Sequence, residues 1–242
     1  MTSTEGTPSL PQDDLHPESV TQHTSRRAFL TQTVLGILAA GSARSAGAAE
    51  KVAEQRWRMI IDLNRCTGCQ SCVIACKAQN DTAPQQFNTR ILIEESKDTH
   101  GSRVAFTPVQ CNQCENPPCV PSCAPNATFK LPNGIVVTDW ERCSATLSCI
   151  SACPYEARYP DPRHGNKVDK CDFCLHRLVK GLNPACVDAC PSRARLFGNA
   201  LAPEGEFAQY LSRNDLVSRK PELGITTSLL YVPLRARSGR TA

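Results

Sequence analysis

Aromatic residues make up only 5% of this 242-residue chain, and after residue 48 it has no apolar run long enough to span a bilayer. At this length one or two domains could form and bury a core. With so few large rings and 18 prolines, however, the interior is not expected to be an ordinary hydrophobic core, and something else must organise it. Without a spanning segment, the part after residue 48 is expected to be soluble or peripheral, meeting a membrane through a partner. There is no phosphate-binding glycine loop, no nucleophile–base–orienter triad and no carboxylate pair at catalytic spacing, so chemistry on a substrate is not encoded here. The formal charge of +4 is modest, and its basic residues are spread out without a dense run or interleaved aromatics. That excludes nucleic acid as a partner.

What the chain does have is cysteine: 15 residues in four tight runs. The first, Cys66, Cys69, Cys72 and Cys76, is C-x2-C-x2-C-x3-C, the spacing by which short loops wrap a [4Fe-4S] cube and send the fourth thiolate to a second cluster. The second is Cys111, Cys114, Cys119 and Cys123, and the last is Cys171, Cys174, Cys186 and Cys190; both end in the same x3 step. Between them lies an incomplete run of Cys143, Cys149 and Cys153, with Thr146 where the spacing would place a cysteine. Disulfides are the natural rival, but the count is odd and the pairs are too close in sequence for stable bridges. Structural zinc also uses C-x2-C pairs, yet a zinc site closes with four ligands and has no use for repeated x2, x2, x3 spacing. Inert buried cysteines would be scattered. Clusters bound through these runs would tie distant loops together and make folding depend on metal loading.

Residues 1–48 read as a leader to be set apart from the fold. Ser25, Arg26, Arg27, Ala28, Phe29 and Leu30 resemble the twin-arginine export signal, and they precede a mildly apolar stretch from Val34 to Ala40 and an A-x-A site at Ala46 to Ala48. This route carries folded proteins, which suits cofactors inserted before export to the periplasm. Beyond the leader, strands are expected at Trp57–Leu63, Arg103–Val109 and Ala194–Phe197, a helix at Ser71–Gln79, and a hairpin of 127–130 with 134–138 around Pro132-Asn133-Gly134. Residues 81–102 are polar and read as a connection. The period of strand, cysteine loop, helix and strand indicates a duplicated small α+β motif. The cysteine-free segment from Ala202 ends in an apolar stretch, Thr226–Leu234, that reads as packing on a surface, with 201–242 as a docking or wrapping tail.

With Asp62-Leu63-Asn64-Arg65-Cys66-Thr67-Gly68-Cys69, Cys114-Glu115-Asn116-Pro117-Pro118-Cys119, Cys153-Pro154-Tyr155, Lys170-Cys171-Asp172-Phe173-Cys174 and Pro184-Ala185-Cys186 in place, the chain from Trp57 to Gly198 closely resembles the iron-sulfur electron-transfer subunit of the dimethyl sulfoxide reductase group of molybdopterin oxidoreductases. Within the group, the leader and the Asn183-Pro184-Ala185-Cys186 region look most like the B-subunit type of the tetrathionate reductases. The resemblance implies an α+β fold of duplicated bacterial-ferredoxin-like dicluster modules with long connecting loops. One module would comprise 55–100 and 165–200, with a second, 101–164, inserted in it.

The resemblance also implies four ligand sets, because each final cysteine crosses over. The first site would use Cys66, Cys69, Cys72 and Cys190, the second Cys111, Cys114, Cys119 and Cys153, the third Cys143, Cys149 and Cys123, and the fourth Cys171, Cys174, Cys186 and Cys76. Thr146 leaves the third set one thiolate short, so three [4Fe-4S] clusters and one [3Fe-4S] cluster are expected; hydroxyl or water ligation of a retained fourth iron is the alternative. Ala124 departs from the proline that ferredoxin-type runs usually place after the last cysteine. His176 and Arg177 could approach a cluster or form a solvated helix face, while Trp57 and Trp140 read as packing residues.

The function implied is a non-catalytic relay between a membrane quinol/quinone subunit and a molybdopterin-containing catalytic subunit. Coupling to a multihaem cytochrome is the alternative partner, and a zinc-stabilised binding module is the rival of a different class. The substrate and the direction of electron flow are not encoded.

Overall fold

The computed structural model of the chain describes residues 55–98 and 101–235; the expected leader and the last seven residues of the tail lie outside them. The central element is β1 (Trp57–Asp62), paired antiparallel with β8 (Arg195–Asn199) from Trp57↔Asn199 to Ile61↔Arg195, and parallel with β9 (Leu229–Val232) from Met59↔Leu229 to Asp62↔Val232. Met59, Ile60 and Ile61 are completely buried because this short sheet is covered on both faces. Following the two-residue alternation of a strand, Met59 and Ile61 join Phe173, Leu229, Tyr231 and the cysteines 72, 111, 171 and 186 in one core. Ile60 packs oppositely with Leu196, Phe207 and Val232. The apolar core is therefore real but small, and sulfur forms part of it.

Helix α1 (Ser71–Asn80) leaves the first cysteine loop through Gln70, whose positive φ of 64° turns the chain, and buries Cys72, Val73 and Cys76 on one face. Lys77 in its last turn favours the helix dipole and organises the following loop by donating to the carbonyls of Ala83 (3.0 Å) and Gln86 (2.9 Å). Three antiparallel hairpins follow: β2 (Thr89–Asp98) with β3 (Gly101–Gln110), β4 (Thr128–Lys130) with β5 (Val136–Thr138), and β6 (Tyr159–Asp161) with β7 (Lys167–Asp169). The β4–β5 turn is closed by bonds from Leu131 N to Ile135 O (2.8 Å) and Gly134 N to Leu131 O (2.9 Å), with Gly134 at φ 88°. Single-turn helices α2 (Ser148–Ser151), α3 (Leu175–Leu178) and α4 (Ala185–Asp188) carry or follow cysteines of the later runs. Helix α5 (Gly205–Arg213) lies against β8, where Phe207 occupies the space that a side chain at Gly198 would fill. These helices and mostly antiparallel strand pairs make an α+β fold.

Two expectations need correction. Residues 81–102 are not simply a connection: β2 occupies 89–98 and pairs with β3 over ten registers. Its signal, the β-branched alternation beginning Thr89-Arg90-Ile91, is masked by the polar Glu94–Asp98 end. The Thr226–Leu234 stretch does not pack on a surface either. Leu229, Tyr231 and Val232 are buried as the third strand of the central sheet, since β1 needs a partner on its second edge. Tyr210 of α5 donates to Asp62 Oδ2 (2.9 Å), fastening the same tail segment to the end of β1.

Candidate iron-sulfur cluster sites

The cysteine loops share one backbone form. In the opening C-x2-C step of each complete run, and in the step ending at Thr146, the residue before the second ligand position has a positive φ: Gly68 (71°), Gln113 (49°), Ala145 (55°) and Phe173 (57°). Such left-handed residues curl the loop, so that side chains two and three positions apart converge and backbone N–H groups turn inward. After the last cysteine of three runs, a second left-handed residue appears at the third position: Asn126 (51°), Glu156 (52°) and Arg193 (50°). Backbone amides then return to sulfur, Thr128 N to Cys123 Sγ and Ala194 N to Cys190 Sγ, both at 3.3 Å.

All fifteen cysteines lie within the described residues and are free thiols. The fold brings several of them together. Cys76 lines one cavity with Cys171, Cys174 and Cys186, together with Asn80 and Asn88. Cys111, Cys114, Cys119 and Cys153 line a second cavity with Asn112 and Tyr155. Cys66 lies within charge-interaction range of Cys72 and Cys190, while Cys69 is exposed on the same loop, 3.5 Å from Ser71 Oγ. Cys149 interacts with Cys123 and Cys143, beside the exposed Thr146, whose hydroxyl is 3.4 Å from Ser148 Oγ.

The donor chemistry fits an iron-sulfur cluster. Burial, followed by the neighbouring sulfurs, pushes Cys171 and Cys76 well up and Cys114 up to about 12. Burial also pushes Cys174 up to about 12, with Asp172 and Cys186 adding to it. Four thiolates so placed hold their charge only around a cationic centre. Among the described residues no three His, Cys, Asp or Glu side chains gather closely enough for one metal ion; a cube sets its ligands wider, around its corners. Three buried side-chain oxygens lack a hydrogen-bond partner among the described residues: Asn88 Oδ1, in a residue lining the first cavity, and Asn112 Oδ1 and Tyr155 Oη, in residues lining the second. Buried polar atoms are seldom left alone; of these three the Tyr155 hydroxyl can donate toward cluster sulfur, whereas the two amide oxygens only accept.

Cations that the cysteine spacing does not point to lie between these sites. Arg195 contacts sulfurs of the first and fourth sites, Arg158 those of the second and third, and buried Lys170 donates to the carbonyls of Val136 and Cys171 while lying within charge range of Cys119. Their signal was available as a repeated arginine five residues after Cys153 and Cys190. Arg177, read from the sequence either as a neighbour of a cluster or as part of a solvated helix face, donates to Gln79 Oε1 (3.1 Å), Asn183 O (2.7 Å) and Asp188 Oδ2 (2.7 Å). His176 lies 3.1 Å from Gln79 Nε2. Trp57 stacks on Phe197 with ring centroids 5.2 Å apart, and Trp140 donates to Val168 O, as packing residues do. Among the described residues no helix is long and apolar enough to cross a membrane.

Comparison with known proteins agrees with this chemistry. Residues 57–78 match the 4Fe-4S binding domain family and residues 102–200 the 4Fe-4S dicluster domain family. The chain is 38% identical to the B subunit of tetrathionate reductase from Salmonella typhimurium, over 89% of this chain and 90% of that protein. It is 36% identical to the B chain of polysulfide reductase from Wolinella succinogenes, over 74% and 95%, and 34% identical to a putative iron-sulfur B subunit of dimethyl sulfoxide reductase from Halobacterium salinarum, over 75% and 80%. Loop form, gathered thiols and similarity along most of its length together place the chain in the family of iron-sulfur B subunits of the tetrathionate, polysulfide and dimethyl sulfoxide reductases.

Proposed function

We propose that this chain is the electron-transfer subunit of an exported reductase complex, moving single electrons between a membrane quinol/quinone subunit and a molybdopterin-containing catalytic subunit that carries out the bond chemistry. Tetrathionate, polysulfide, thiosulfate or a similar acceptor is its substrate class. The observation that carries this reading is the meeting of Cys76 with Cys171, Cys174 and Cys186 across about a hundred residues of sequence. Bound in such sites, iron-sulfur clusters supply one-electron carriers whose potentials follow cluster type, charge, hydrogen bonding and exposure.

The chain's own residues then do three things. Thiolates of Cys66, Cys69, Cys72 and Cys190, of Cys111, Cys114, Cys119 and Cys153, of Cys143, Cys149 and Cys123, and of Cys171, Cys174, Cys186 and Cys76 hold four clusters, the third set being the [3Fe-4S] site. Burial of the whole fourth set and of Cys111, Cys114 and Cys119 in the second keeps water from those sulfurs, whereas Cys69 and Thr146 are exposed in the first and third. The bridging positions of Arg195, Lys170 and Arg158 support the order first, fourth, second, third, with partners meeting the two exposed ends. The module division, the docking role of the tail and export through Arg26-Arg27 belong to the same proposal.

Anaerobic purification of the full complex tests it. Iron, acid-labile sulfide and electron paramagnetic resonance should account for four clusters, and a molybdopterin subunit should copurify. A colourless protein containing zinc alone would overturn the relay; a multihaem cytochrome in place of the molybdopterin subunit would overturn the assigned partner.

A further inference from the structure

We propose that Arg158 and Arg195 are matched cationic bridges, each set between two cluster sites so that one buried guanidinium raises the reduction potential of both. The proposal rests on the cluster assignment above. Cys153-Pro154-Tyr155-Glu156-Ala157-Arg158 and Cys190-Pro191-Ser192-Arg193-Ala194-Arg195 share the pattern C-P-x-x-A-R. In each, the left-handed third residue closes a turn onto the cysteine, Glu156 N to Cys153 O (3.2 Å) and Arg193 N to Cys190 O (3.1 Å). The turn sends the fifth side chain back between the sites. The same turn after Cys123 ends instead in Thr128, whose hydroxyl accepts a bond from Arg158 (3.2 Å).

Both arginines are buried, 5% and 3% exposed. Their neutral partners are few: Arg158 donates to Thr128 and Thr138 Oγ1, and Arg195 to Gln110 Oε1 (2.5 Å) and Thr89 Oγ1 (2.8 Å). Among the described residues neither takes part in an ion pair with a carboxylate. A guanidinium stays protonated in a protein, and an unpaired charge in such a place is strongly unfavourable, so its counter-charge must come from sulfur. Arg158 Nη2 donates to Cys119 Sγ at 3.1 Å in the second site and lies within charge-interaction range of Cys149 in the third. Arg195 Nη1 lies 3.7 Å from Cys186 Sγ in the fourth site, and the same side chain lies within charge-interaction range of Cys72 in the first.

Reduction adds one electron, and hence one negative charge, to a site whose sulfurs already face this fixed cation. No proton needs to move, because the arginine does not titrate. The reduced form is stabilised more than the oxidised one, and the gain is shared by both members of each pair. A residue that only filled space would leave the potentials where they were.

The test is a redox titration of the loaded full chain, followed by paramagnetic resonance and visible absorption, with Arg195→Met, Arg195→Lys, Arg158→Met and Arg158→Lys. Arg195→Met should lower the reduced-to-oxidised ratio of the first and fourth sites at least tenfold at a fixed potential, about 59 mV for one electron, and leave the second and third unmoved. Arg158→Met should do the converse. The lysine variants, which keep the charge, should recover most of the shift. If a methionine variant instead loses iron from its pair, recovery of that iron by lysine supports the bridge and failure to recover it overturns it. The proposal also falls if one site of a pair moves alone, if all four move together, or if lysine and methionine shift the potentials equally. Absence of iron and sulfide from the unmodified chain would overturn the cluster assignment itself, whereas unmoved potentials in a loaded variant would overturn only the bridge.

Discussion

Thr146 stands in a loop of the same shape as the one that carries Cys69. Ala145 and Leu147 hold φ values of 55° and 61°, matching Gly68 at 71° and Gln70 at 64° around Cys69. The substitution therefore removes a thiolate without rebuilding the backbone. Under the cluster assignment proposed above, Thr146→Cys should bind a fourth iron in the third site. The oxidised [3Fe-4S] resonance expected of the unmodified protein should vanish, and that site's potential should fall. No such resonance in carefully oxidised unmodified protein, with iron matching four full cubes, would assign the fourth iron to oxygen ligation. Gly68 shows the opposite case, a position where an added side chain meets a neighbouring ring. Its φ of 71° disfavours a side chain, and an added Cβ would come 2.5 Å from the Phe106 ring. Gly68→Ala should cost about 1–3 kcal/mol, read as a lower thermal midpoint of the loaded protein. An unchanged midpoint would mean that Phe106 moves aside freely.

Among the elements, the sequence made local ones easier to see than long-range pairings. The Pro132-Asn133-Gly134 hairpin and helix α1 follow from turn chemistry and from the cysteines placed on one face. Strand β2 was hidden because Ile93 and Val104 are 68% and 55% exposed on a hairpin that buries little near its tip, so its apolar signal fades into charge. Strand β9 was hidden for another reason. Four residues cannot declare a partner 170 positions away, and only the open edge of β1 gives them one. Leu229, completely buried on β9 beside its register partner Met59, tests its weight. Leu229→Ala should destabilise the chain by about 2–5 kcal/mol, and denaturant unfolding should show it without a change of iron content beforehand. A midpoint equal to that of the unmodified protein would reduce β9 to an accessory strand.

At the scale of the whole molecule, thiols far apart in sequence are buried together with a small apolar core. Cys190, more than a hundred residues from Cys66, lies within its charge range. Cys190→Ser should therefore damage the cluster assigned to Cys66, Cys69 and Cys72, read by paramagnetic resonance and by loss of iron, while the set of Cys171, Cys174, Cys186 and Cys76 keeps its signal. A lesion confined to that latter set would reverse the pairing.

By itself the sequence determined the chemistry. Cysteines in tight runs, with x2 steps and a closing x3 step, select a thiolate-bound cluster whatever the surroundings, because short loops dictate which side chains can converge, and the family motifs are equally local. The tertiary structure decided what depends on distance. It brought Cys76 beside Cys171, made β9 part of the core, and placed Arg158 and Arg195 between cysteine sets. Spacing along the chain says which groups can meet nearby, but the potential felt at a buried sulfur depends on which charges the fold brings within a few ångströms, from whichever part of the chain they come.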